Sequence, residues 1–120
     1  MSVIYINDVS IGDELPQLEK QTSTRQLVMY AGASDDYNPI HYDKELATKS
    51  GHDKVIVHGA LKSAFLAQLI TDWAGPTGRI IELSVTYRSI DFGGDNLICK
   101  GRVSKKIWEG QEQVVECEIW

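Results

Sequence analysis

An acid and an imidazole, Asp36 and His41, stand five residues apart across the dipeptide Asn38-Pro39. On a helix, positions i and i+5 would point about 140° apart and face different ways. Pro39 has no N–H to donate and pushes Asn38 out of the α region, so the chain must bend here. A bend can bring the Asp36 carboxylate and the His41 ring toward one point. Such a pair can share a water, one group taking a proton while the other orients or returns it. His58-Gly59 follows 17 residues after His41. The same residues also read as plain turn chemistry. Asp and Asn bond their own backbone, Pro stops the preceding helix, and His41 becomes a partly buried turn residue with one hydrogen bond.

The elements that must position these residues follow from local pattern. Ser23 with Gln26 three residues on reads as a capping box, opening a helix through about Ala33 with Leu27, Tyr30 and Ala31 facing inward. Asp43 reads as the N-cap of a short helix closed by Gly51. From Ala60 to Ala74, Leu61, Ala64, Phe65, Leu69 and Trp73 recur at three- and four-residue spacing. This predicts one long apolar helix, ended by Gly75-Pro76. Beyond Arg79 the period changes. Ile81, Leu83, Val85 and Tyr87 alternate with Glu82, Ser84, Thr86 and Arg88, a half-buried strand. Gly93-Gly94-Asp95-Asn96 reads as a turn. Leu97 to Ile107 and Gln113 to Trp120 read as two further strands joined through Glu109-Gly110. A central helix with an antiparallel sheet downstream is an α+β order.

Composition narrows the function. The 120 residues suit one domain, 1–120, with a single core. Twelve basic against 17 acidic residues give a net charge of −5, and no basic run exceeds Lys105-Lys106. The footprint of a nucleic-acid binder is missing. No apolar run approaches the 18 or so residues of a membrane span, and Met1 to Tyr5 lacks a basic-then-apolar signal pattern. Cys99 and Cys117 show no metal-type grouping and read as buried strand residues in a reducing cytoplasm.

The segment from Tyr30 to Asp43, with Asp36, one variable residue, Asn38-Pro39, an aliphatic and His41, resembles the signature of the MaoC-like family. These are R-specific enoyl-thioester hydratases and dehydratases. Val55-Ile56-Val57-His58-Gly59-Ala60 resembles the segment leading into that family's long central helix. Val85-Thr86-Tyr87-Arg88 and Phe92-Gly93-Gly94-Asp95 resemble the strand and turn after it. The likeness runs from about Val9 to Trp120 and is greatest to small single-domain members, including mycobacterial-type hydroxyacyl-carrier-protein dehydratase subunits.

The resemblance implies a hot-dog fold, in which a curved antiparallel sheet wraps one helix. It also implies reversible hydration of a trans-2-enoyl thioester to an (R)-3-hydroxyacyl thioester. The partner substrate is an acyl group on coenzyme A or on an acyl-carrier protein. Asp36 and His41 would activate water for attack at the β-carbon and deliver a proton to the same face at the α-carbon. Which of the two is the formal base stays open. The Gly59 N–H, at the start of the central helix, would stabilise charge on the thioester oxygen. Asn38 braces the turn or positions Asp36, and His58 supports the site. Lys62 and Arg88, with Arg79 and Lys100, are candidates for a basic patch that meets an acidic substrate. No cofactor and no metal are implied.

Three departures from the family pattern stand out. Ala67 lies near a helical Ser that assists the thioester oxygen in some relatives, and a strand Pro is replaced near Ile90. The family's last strand, after Glu118-Ile119-Trp120, is lacking. The exposed edge is expected to be covered by a partner subunit or by strand exchange, as a homodimer or as a heterodimer with another hot-dog subunit. A non-catalytic acyl-thioester-binding or structural subunit of such a heterodimer is the alternative, and a thioesterase ranks below it.

Overall fold

The computed structural model of the chain describes residues 3–120. The expectation about a signal segment rests in part on Met1 and Ser2, which lie outside the described residues. The elements run in the order β1 (Leu18–Gln21), α1 (Thr24–Ser34), α2 (Lys44–Lys49), α3 (Gly59–Ala74), β2 (Asn96–Cys99), β3 (Gly101–Glu109) and β4 (Glu112–Ile119). Turns of 3-10 helix occupy Ile6–Asp8 and Pro39–His41. This is the expected α+β order. Strand β1 pairs with β2, and β3 with β4.

Local chemistry sets the helix ends. Ser23 Oγ accepts from the Gln26 N–H at 3.1 Å, the expected cap of α1. The helix stops where Asp35 adopts a left-handed φ of 57°, which among non-glycine residues Asn and Asp tolerate best. Leu27 and Ala31 are buried and Tyr30 is half-buried. Asp43 Oδ1 accepts from the N–H groups of Glu45 and Leu46, capping α2. In α3 the buried stripe is Leu61, Phe65 and Leu69. Ala64 is exposed and Trp73 half-buried, so the inward face is narrower than the spacing suggested.

The chain divides into two compact units, residues to Leu18 with Phe65–Ser84 and Ile98–Trp120, and residues Glu19–Ala64 with Val85–Leu97. In the first, β3 and β4 form an antiparallel hairpin from Gly101↔Ile119 to Glu109↔Glu112, with an irregularity between Val103 and Lys105. The free side of β3 is partly covered by residues 12–15, where Gly12 and Leu15 donate to the carbonyls of Val103 and Gly101. No strand lies beyond β4 among the described residues.

Two sequence expectations fail here. The single strand expected from Leu97 to Ile107 is divided at Lys100, which separates β2 from β3. The strand expected from Ile81 to Arg88 does not form. Residues 79–90 make no backbone–backbone hydrogen bond among the described residues. Alternation tells which side chains want burial, but a strand also needs a neighbour for its N–H and C=O groups, and none is present among the described residues. In the first unit a groove of about 870 Å³ lies here, lined by Ile70, Trp73, Ile81, Leu83, Glu116 and Cys117 among others.

The second unit carries the short segment Val55–Val57, held on two sides. Ile56 donates to the Ile40 carbonyl at 3.1 Å. On the other side, Val57 donates to Asp91 at 2.8 Å and Gly93 donates to Val55 at 2.9 Å. A Cβ on Gly93 would lie 2.9 Å from Val55 Cγ2 and 3.4 Å from Leu27 Cδ1, so only glycine fits this close approach.

Candidate active site

The bend predicted at Asn38-Pro39 exists, and backbone bonds fix its shape. The Asp35 N–H and the Asp36 N–H both donate to the Ala31 carbonyl, which turns the chain back at the end of α1. Asp36 Oδ1 accepts from the Asn38 N–H at 3.3 Å, and Asn38 Oδ1 accepts from the Ile40 N–H at 3.3 Å. The Asn38 backbone anchors the Asp36 carboxylate, and its side chain caps the 3-10 turn that carries His41. The Tyr42 hydroxyl donates to the Tyr37 carbonyl at 2.7 Å and closes the loop.

His41 is 7% exposed. Its Nδ1 lies 2.8 Å from the Ile56 carbonyl, which can only accept, so Nδ1 carries the proton. In the neutral ring the lone pair is then on Nε2. That nitrogen faces Asp36 Oδ2 at 3.7 Å. The separation is too long for a direct hydrogen bond, and it leaves two acceptors side by side, the arrangement that a bridging water satisfies by donating to each. Asp36 is half-exposed, with 50% of its side-chain surface open, so the pair is reachable from solvent.

His58 completes the cluster. It is 1% exposed and stacks on His41 with centroids 3.6 Å apart and planes inclined by 18°. The Tyr30 ring meets it edge-on at 4.9 Å. Its Nε2 donates to the Asp36 carbonyl at 3.4 Å, and its Nδ1 is buried without a hydrogen-bond partner among the described residues. Burial, first, and the adjacent His41, second, push the His58 pKa below the ordinary histidine value, while the Asp36 carbonyl and carboxylate oppose this more weakly. His58 is thus a neutral, packed ring that supports both members of the pair.

Ligand atoms of Asp36, His41 and His58 lie within 4.8 Å of one another. Imidazole lone pairs lie in the ring plane, and a transition metal sits about 2.0–2.1 Å from each nitrogen. Two stacked, nearly parallel rings do not aim their lone pairs at one such point, and both Nδ1 of His41 and Nε2 of His58 are bonded to carbonyls. The donor set does not fit a metal ion.

Gly59 opens α3, and its N–H has no partner among the described residues. A Cβ there would lie 3.1 Å from the Tyr87 ring, so a side chain would push on the aromatic face beside it. The Tyr87 hydroxyl hydrogen-bonds Ser63 Oγ. Lys62 Nζ donates to the Ser89 carbonyl at 3.0 Å and to Asp91 Oδ2 at 2.9 Å, so its charge is engaged within the fold. Arg88 and Lys100 are exposed, and Arg79 pairs with Glu112 at 2.8 Å. Tyr30, Ser63 and Tyr87 were missed as site neighbours by sequence reasoning. Tyr30 and Tyr87 stand in segments that carry the family resemblance, but no local pattern sets Tyr30 against His58 or Tyr87 against Gly59.

The family model described as "MaoC like domain" matches residues 7–119. The chain belongs to the MaoC-like family. A mitochondrial 3-hydroxyacyl-[acyl-carrier-protein] dehydratase of Arabidopsis thaliana is 31% identical over 90 residues, which are 75% of this chain and 53% of that protein. The chain thus spans about half the length of this relative. An (R)-specific enoyl-CoA hydratase of Aeromonas caviae is 26% identical over 73% of this chain and 66% of its own length. Among solved structures, the ChsH1-ChsH2 complex from Mycobacterium tuberculosis contains a chain that superposes with a TM-score of 0.81 at 22% identity, covering 92% of this chain and 84% of that one. The MaoC-like chain has the expected α+β hot-dog fold. Among the described residues, no helix is long and apolar enough to cross a membrane.

Proposed function

We propose that this chain catalyses reversible hydration of a trans-2-enoyl thioester to an (R)-3-hydroxyacyl thioester, with Asp36 and His41 sharing the proton work. The observation that carries the reading is the 3.7 Å approach of the His41 Nε2 lone pair to the Asp36 carboxylate in a half-open site. A water donating to both acceptors gains nucleophilicity and attacks the β-carbon. The proton it releases returns from the pair to the same face at the α-carbon. Positioned acid–base groups of this kind contribute about 10²–10⁴-fold. The Gly59 N–H at the start of α3 would receive the thioester oxygen as charge develops on it, and one such donor is worth about 10²–10³ in rate. No cofactor enters this chemistry.

The substrate is an acyl group on coenzyme A or on a carrier protein, as the names of the relatives suggest. Arg88, exposed after the 79–87 segment, is a candidate contact for its acidic carrier, and Lys62 contributes by holding residues 89–91. Residues 1–120 act as one domain, in the cytoplasm. A second hot-dog subunit, identical or related, covers the bare edge of β4. The backbone there, without a further strand among the described residues, supports an oligomer, and the known complex of two chains is a precedent for pairing.

The test is loss of the enoyl-thioester absorbance with crotonyl-coenzyme A, in the parent, Asp36→Asn and His41→Ala. Turnover in the parent and a loss of about 10²-fold or more in each folded variant is the expected result. An inactive but folded parent would favour a binding or structural subunit. Thiol release with the double bond intact would favour a thioesterase.

A further inference from the structure

The hydroxyl pair beside Gly59 has no part in the chemistry above. Ser63 lies four residues after Gly59, so the two share one face of the first turns of α3. The Tyr87 ring lies across that face, within 3.1–3.4 Å of the point a Gly59 Cβ would occupy, and its hydroxyl bonds Ser63 Oγ. Tyr87 is 53% exposed and Ser63 half-buried. Lys62 steadies the arrangement by binding Ser89 and Asp91, just beyond Tyr87, with its Nζ 5.8 Å from the ring centroid.

Counting protons assigns the pair a task. Two hydroxyls carry two protons, and their mutual bond uses one. Whichever oxygen accepts that bond keeps its own proton free for an outside acceptor. The site so far supplies the Gly59 N–H as its one donor toward a thioester oxygen, and Ala67, two turns further along α3, has no hydroxyl to offer. We propose that Tyr87 and Ser63 form a substrate-positioning clamp. The ring face is the wall against which the thioester lies, and the free hydroxyl proton is donated to an oxygen of the acyl thioester. This deepens the reading of the site as a thioester site and rests on it.

The experiment separates binding from reaction. Butyryl-coenzyme A, a saturated thioester that cannot be hydrated, is titrated calorimetrically into the parent, Tyr87→Phe, Ser63→Ala and the double variant, with coenzyme A alone as the control. Each single variant should weaken butyryl-coenzyme A binding about tenfold, the scale of one hydrogen bond. The double variant should bind no more weakly than the worse single, since the two hydroxyls act as one unit. Coenzyme A binding and the urea unfolding midpoint should not change. With crotonyl-coenzyme A the loss should fall on KM more than on kcat.

Tyr87→Phe binding butyryl-coenzyme A like the parent would overturn the proposal, leaving the ring as packing alone. Equal weakening for coenzyme A without an acyl group would also overturn it, as would a parent that binds no butyryl-coenzyme A. A parent that fails to hydrate crotonyl-coenzyme A, yet shows the predicted binding pattern, would defeat the hydratase reading and leave the clamp standing.

Discussion

Residues 36–58 and residues 79–90 differ most in where their backbone groups go. Around the site, Ile56 donates to Ile40 and accepts from His41, Asp36 is bonded through its carboxylate and its carbonyl, and His58 is enclosed. Each bond restrains a group that the proposed chemistry uses. The 79–90 segment has apolar side chains in the alternation of a strand, yet Ile81 and Leu83 remain 53% and 39% exposed, and among the described residues it makes no backbone–backbone hydrogen bond. One region is held by hydrogen bonds within its own unit; the other has the alternation of a strand and no strand partner among the described residues. The candidate site is therefore built from local turn bonds at Asp36, Asn38 and Ile40 together with longer-range bonds of His41 to Ile56 and of His58 to Asp36.

The largest contrast should appear in stability. Leu27, fully buried in the second unit, should cost about 2–5 kcal/mol when cut to alanine. Leu83→Ala should cost no more than about 0.5–1 kcal/mol. Urea midpoints of the two variants check this, and equal losses would mean that the groove is closed in solution. Hydrogen exchange sharpens the same contrast. The Ile56 and Val57 amides, both bonded, should exchange at least about a hundredfold more slowly than those of Ile81 and Leu83, because unpaired segments open at almost no cost. Protection of Ile81 and Leu83 that grows with protein concentration would identify a second subunit on that edge.

A smaller effect belongs to the loop's last anchor. Asp43→Ala removes the acceptor for two α2 N–H groups and should cost about 1 kcal/mol, with crotonyl-coenzyme A turnover nearly unchanged. The finest test concerns pH. Burial and His41 disfavour the protonated form of His58 in the fold. As pH falls below the ordinary histidine range, near about 6.5, the unfolded chain takes up a proton that the folded chain resists. Stability should then decline, with the full contribution of His58 present only above that range. Urea midpoints at pH 7.5 and 5.5 should fall further apart in the parent than in His58→Gln.

Much of this molecule was legible from its residues. Ser23, Asp43 and the Asn38-Pro39 bend act through neighbours two or three positions away, so local pattern placed α1, α2 and the turn. The long helix was marked by its apolar spacing, although only Leu61, Phe65 and Leu69 are buried. What escaped depends on distant partners. The break at Lys100 and the unpaired 79–90 segment are questions of which strands are available, which alternation does not encode. The stacking of His58 on His41, and the placement of Tyr87 against Gly59, join residues 17 and 28 positions apart. The sequence held the residue types for the site, and resemblance pointed to their use, but the tautomers follow only from the carbonyls of Ile56 and Asp36.

The central claim is that Asp36 and His41 act as one unit on one water. It is tested most directly by kcat/KM for crotonyl-coenzyme A in the parent, Asp36→Asn, His41→Ala and the double variant, each verified as folded. A shared water predicts that the double variant is no slower than the worse single, since removing either partner already abolishes the joint function. Losses that multiply, or a single variant that keeps the parent's rate, would contradict it.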